Sequence, residues 1–204
     1  MNKKLLMLIF SDLFILSGFG LIAPIFAVFI DRDLIGGTLV TAGLATTIFL
    51  VVKSAVQLPL SKYFIDKHDH KSIFLVVGTF LIITVPFIYF AAKSVYAIFV
   101  AQAIYGLGAA LAYPAWFSLF TIYMDKKHRG FEYTIYTTMI GIGGAAAAYF
   151  GAQIAAAVGF RVLFFVVGFI SFLGFLFLIA LYRMELKKYK SPQYPNHPFN
   201  KFKR

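Results

Sequence analysis

Cysteine is missing from the 204 residues, so neither a disulfide framework nor a thiolate metal site is available. Charge is scarce: Asp, Glu, Lys and Arg make up 13% of the chain, against about a quarter in ordinary soluble domains. Acid is scarcer still, with 8 carboxylates against 19 Lys and Arg. No Gly-x-x-x-x-Gly-Lys-Ser/Thr cradle for phosphate occurs, which excludes ATP-driven pumping by this chain itself. No histidine falls within an apolar run. His68, His70, His128 and His197 all lie in polar segments, so a metal-dependent or His-based intramembrane hydrolase lacks its parts. His68-Asp69-His70 offers ligand atoms, but three consecutive side chains point in different directions on most backbones. The sequence therefore reads as a non-enzyme, with no catalytic residue, no metal and no cofactor.

What is present is apolar. Hydrophobic residues reach 61% and the mean hydropathy is +0.84. A water-soluble domain is about half apolar, and disorder requires low hydrophobicity; both are excluded. Strict alternation with evenly spaced turns, the mark of an outer-membrane barrel, is absent. An all-α integral membrane protein remains.

A membrane helix needs about 20 mostly apolar residues. Such runs lie at about 5–30, 39–62, 72–91, 96–123, 132–157 and 162–182. The predicted organisation is a six-span membrane domain over 1–185 and a basic, Pro-containing cytoplasmic tail over 186–204. The first run contains Asp12, is too long for a cleaved leader and lacks a small-residue cleavage site, so it reads as a span. With the N-terminus inside, the inner segments collect Lys3, Lys4, Lys62, Lys67, Lys71, Lys126, Lys127 and Arg129. The end of the chain adds Arg183, Lys187, Lys188, Lys190, Lys201, Lys203 and Arg204. The outer loops hold only Arg32, Lys93 and Arg161. Basic segments stay in the cytoplasm, so both termini are expected there, in a multi-pass protein of the cell membrane. That rule accounts for the net charge of +11, and no nucleic-acid partner is implied. The tail either rests its lysines on anionic lipid or is simply solvated.

Lys53 is the most informative residue. It lies nine residues from Lys62 in an otherwise uncharged run, about 13 Å deep. A cation there costs at least about 2.5 kcal/mol if it faces lipid, so it should face the bundle interior or water. Asp12 lies about 10 Å from the same surface. If the first two spans are neighbours, Asp12 and Lys53 are expected to pair, either to serve a substrate or proton path or only to position helices. Glu132 opens the fifth span beside Arg129, where a helix N-terminus stabilises a carboxylate; a proton site is the alternative. Gln102 and Tyr105 are about one turn apart and are expected to share a cavity or to bond between helices. Gln57 completes the candidate pathway. The glycines and prolines cluster as Gly18, Gly20 and Pro24, then Gly106, Gly108 and Pro114. In the fifth span Gly144, Ala148, Ala152 and Ala156 fall at i+4 spacing, a smooth stripe for another helix.

Four motifs carry a resemblance. Lys62-Tyr63-Phe64-Ile65-Asp66-Lys67-His68-Asp69-His70-Lys71 is similar to Gly-x-x-x-Asp-Arg/Lys-x-Gly-x-Arg/Lys-Arg/Lys, matching at Asp66, Lys67 and Lys71, with Lys62 and Asp69 in place of glycines. Gln102-Ala103-Ile104-Tyr105-Gly106-Leu107-Gly108-Ala109-Ala110 shares Gly-x-Gly-Ala-Ala with a fourth-span pattern and lacks its arginine and glutamine. Lys126-Lys127-His128-Arg129-Gly130 resembles an equivalent basic loop, and Gly159-Phe160-Arg161 the usual start of span six. In this order on six spans they resemble the N-terminal half of a major facilitator superfamily transporter.

The resemblance implies a secondary transporter of a small organic solute, proton-coupled, with alternating access between two six-helix halves. It implies a cytoplasmic gate at Asp66, Lys67, Lys71 and Arg129. It also implies helix packing through Gly106, Gly108, Gly144, Ala148 and Ala152. Phe- and Tyr-rich spans favour export of partly apolar molecules. The expected partners are the bilayer, the solute, protons, and a second copy or a second six-span half, with the stripe of span five facing span two of the partner. Two alternatives stand beside this reading: a fragment of a twelve-span transporter, and a non-transporting membrane scaffold or assembly protein.

Overall fold

A computed structural model describes residues 2–65 and 71–189, the side chains of Phe64, Lys188 and Tyr189 excepted. Within them the chain is helical throughout, and six stretches are long and apolar enough to cross a membrane. The first stretch is broken. Helix α1 (Lys3–Gly20) starts at Asn2, whose side chain accepts the Lys4 N–H at 3.0 Å. A 3₁₀ turn at Ala23–Ile25 follows, and α2 (Phe26–Asp33) continues outward. Pro24, which has no N–H to donate, sits at the break. The run expected as one helix from 5 to 30 is thus two.

Helix α3 (Leu39–Leu60) opens on a capping box in which Thr38 and Thr41 satisfy each other's backbone N–H groups. It carries Pro59 in its last turn and passes into a π-helical turn at Ser61–Ile65. Helix α4 (Lys71–Ala91) and helix α5 (Val95–Tyr123) are joined by a short link. That link is tied to the α2–α3 loop: Ile35 donates to the Lys93 carbonyl at 3.1 Å, and Val95 donates to the Ile35 carbonyl at 3.2 Å. Helix α6 (Arg129–Val158) turns into α7 (Phe160–Tyr189) at Gly159, whose φ of 84° lies in the left-handed region that glycine tolerates. Helix α7 extends past 182, the expected end of span six, and past 186, the expected start of the tail.

The neighbours around the bundle run α3, α5, α4, α7, α1, α6. This order is an arc with α3 and α6 at its two ends. Their most apolar windows are each only 11% buried, against 33–50% in the other spans. Both end helices therefore present a face that nothing among the described residues covers. Two apolar clusters hold the arc together. One surrounds Phe29, Tyr89, Ile98 and Phe164; the other surrounds Leu5, Leu8, Phe120 and Leu178, at the end carrying the termini. Phe19 and Tyr105 pack against both.

Small residues set the closest crossings. A Cβ at Gly78 would lie 2.6 Å from the Gly108 carbonyl oxygen, and one at Gly108 would lie 2.7 Å from that of Gly78. Gly106 meets α3 in the same way, 2.8 Å from the Phe49 carbonyl oxygen. Helix α6 packs on α1 through Gly143, Ala147 and Gly151. The stripe expected to carry packing, Gly144, Ala148, Ala152 and Ala156, is one residue out of phase with this contact. One residue is about 100° of helix, so the stripe points elsewhere: nothing lies within 4 Å of a Cβ at Gly144, and Ala152 and Ala156 are exposed.

Candidate functional site

The second cluster, through Ile15, Leu75, Ile82, Ala112 and Leu178, lines a cavity of about 340 Å³ bounded by α1, α4, α5, α6 and α7. Helix α1 contributes Ser11 and Asp12, α4 contributes Leu75 and Thr79, and α6 contributes Tyr136. Helix α5 contributes Tyr105, Tyr113 and Trp116. The Asp12 carboxylate accepts the Tyr136 hydroxyl at 2.5 Å. The Trp116 and Tyr136 rings stand 4.9 Å apart at 38°, and Trp116 stacks on Phe120 at 4.6 Å. Two residues on the cavity wall, Ser11 and Trp116, have a hydroxyl and an indole N–H buried with no hydrogen-bond partner among the described residues.

Lys53 faces a separate recess, lined also by Gln57, Ser61 and Phe117, that shares only Tyr113 with the cavity. Its ammonium stands over the Tyr113 ring at 4.5 Å and that of Phe49 at 5.9 Å. The expected Asp12–Lys53 pair is therefore not formed. Helices α1 and α3 are not neighbours, because Tyr105 stacks between Phe19 of α1 at 4.9 Å and Phe49 of α3 at 4.5 Å. Aromatic faces take the place of a counter-ion for Lys53, and a tyrosine hydroxyl takes that place for Asp12. Gln102 is 5% exposed but does not line the cavity that Tyr105 reaches. The shared cavity expected for this pair is not made.

The end of the bundle where α1 begins holds the remaining charged candidates. Glu132 is 5% exposed and its carboxylate accepts the Asp125 N–H at 2.9 Å, fixing the α5–α6 loop against the first turn of α6. It lies one turn before Tyr136, about 6 Å along the axis. Asp125 accepts the Lys127 N–H at 3.0 Å and pairs with His128 at 3.0 Å; these contacts, the backbone one foremost, hold its carboxyl below the usual range. Of the expected gate, Lys71 donates to the Ser118 hydroxyl at 2.8 Å and Arg129 is exposed. Asp66 and Lys67, like His68 and His70, lie outside the described residues.

Four participants escaped sequence reading. Glu185 accepts from Lys4 at 3.3 Å and from the Tyr123 hydroxyl, joining α1, α5 and α7. This contact carries α7 beyond its apolar part. Its signal was available, since Glu185 is the single acid after Glu132. Tyr113, Trp116 and Tyr136 had no such signal in a chain that is 19% aromatic.

Six apolar spans around an interior cavity that holds a carboxylate define a polytopic membrane protein. The sequence signature of the Major Facilitator Superfamily matches residues 8–203. The chain belongs to that family, whose members are transporters and not enzymes. No curated protein matches it.

Proposed function

We propose that the chain is one six-helix half of a secondary transporter in the cell membrane, with Asp12 and its cavity as the place where solute and proton are handled. The observation that carries this reading is a carboxylate deep in the bundle on the wall of a mostly apolar cavity. An ionisable group within a span is costly and marks a pathway by default. The transporting unit runs to the end of α7 at Tyr189, the basic residues beyond it form a tail, and both termini face the cytoplasm. The second half is supplied by another copy, by a partner chain or by a continuation of this one, and it covers the open faces of α3 and α6. The Gly144, Ala148 and Ala152 stripe is where it approaches most closely. Transport is coupled to protons through Asp12, with Tyr136 and then Glu132 leading from it toward the cytoplasm. Asp66, Lys67, Lys71 and Arg129 close that side, and the direction is export.

Alternating access is tested by Thr79→Cys, since Thr79 lines the cavity and the chain has no other cysteine. Membrane-impermeant thiol reagents applied from each side should reach position 79 from both, in proportions that shift with the pH gradient. Labelling from one side only, whatever the gradient, would contradict the mechanism.

A further inference from the structure

The cavity also has a chemical preference. Its wall holds one carboxylate and no Lys, Arg or His, so an anion finds no counter-charge there. An ionised carboxylate offers about four acceptor positions, and among the described contacts Asp12 uses one, for Tyr136. The surroundings are aromatic, with Tyr105, Tyr113, Trp116 and Tyr136 on the wall. Ring faces attract cations, and this protein already seats one so: in the neighbouring recess the Lys53 ammonium stands 4.5 Å over the Tyr113 ring. A polyol would need a partner for every hydroxyl, and the mostly apolar wall does not supply them. At about 340 Å³ the space lies at the small end of ligand sites, which start near ~300 Å³.

We propose that this cavity takes a compact organic amine, its ammonium on the Asp12 carboxylate beside the Trp116 and Tyr136 rings. The assignment rests on reading the cavity as the solute site, and it names the solute's class.

Trp116 is the chain's single tryptophan, so its fluorescence reports occupancy without a label. The protein in lipid nanodiscs is titrated with three molecules sharing one phenoxy body: 2-phenoxyethylamine, 2-phenoxyethanol and phenoxyacetate. The amine should give a saturable change, the alcohol should bind about tenfold or more weaker because it lacks the charged hydrogen bond, and phenoxyacetate should bind no better than the alcohol. In Asp12→Asn the amine should lose its advantage over the alcohol, the two binding within about twofold of each other. If that variant fails to fold, the three-ligand ranking in the parent decides. The alcohol or the acid binding as tightly as the amine, or no saturable change with any of the three, overturns the assignment. Amine binding without any transport would instead reject the transporter reading and leave the site standing. Transport of some other solute without amine binding would reject only the amine.

Discussion

Replacing Gly78 by Ala puts a methyl group where α4 and α5 touch. The new carbon would lie 2.6 Å from both the Ala112 nitrogen and the Gly108 carbonyl oxygen, and 2.8 Å from the Leu111 Cβ. Two of these are backbone atoms that no rotamer change can move, so the helices must separate. Overpacking of this kind costs about 1–3 kcal/mol, and the better helix propensity of Ala returns at most about 1 kcal/mol. With the full return the net loss is about 0–2 kcal/mol, which for a chain of this length lowers the melting temperature by up to about 8 °C. Gly43→Ala is the control, because nothing lies within 4 Å of its Cβ; it should melt at or above the parent. The double variant Gly78→Ala, Gly108→Ala should lose less than the sum of the two single losses, since the first methyl has already opened the crossing. The same crossing carries Leu75 and Thr79 on one helix and Tyr105 and Ala112 on the other, all on the cavity wall. Solute binding should therefore weaken in step with stability. Thermal unfolding of detergent-purified variants by circular dichroism gives the answer. Gly78→Ala melting as high as Gly43→Ala would mean that α4 and α5 do not meet at this point.

Glu185→Leu removes the acceptor that Lys4 and Tyr123 share and should cost about 1–3 kcal/mol in the same melting assay. Glu185→Gln keeps an acceptor oxygen and should cost less. Lys53→Met and Asp12→Asn should act independently. Because the two side chains have separate partners, the stability cycle of single and double variants should close within about 0.5 kcal/mol. A larger coupling would restore the direct pair.

The spans were legible because twenty apolar residues in a row admit few other fates, and polar punctuation separates them. The break at Pro24 was visible as residues but not as a consequence: a proline inside a membrane helix is tolerated in many settings, and here Pro59, Pro86 and Pro114 all lie within helices. Asp12 stood out by its charge, and it does line the cavity. Its partner did not stand out, because pairing Asp12 with Lys53 assumed that consecutive spans are neighbours. The order around the arc is set by which faces interlock, and Tyr105 fills the space that the ion pair would have needed. The stripe that α6 turns to α1 was hidden for a smaller reason. With small residues at nearly every position from Gly143 to Ala148, i+4 spacing selects several stripes equally well. Only the contact with Leu21 and Ser17 of the first span reveals which one α1 uses.

The central claim is that Asp12 and its cavity couple solute to proton movement across the membrane. It is tested most directly in proteoliposomes carrying an internal pH-sensitive dye, with an imposed pH gradient and 2-phenoxyethylamine as solute. The parent protein should dissipate the gradient faster when the amine is added. Asp12→Asn, incorporated at the same level, should show only the leak of protein-free vesicles. Proton movement that is the same with and without the amine, or the same in the parent and in Asp12→Asn, would contradict the account.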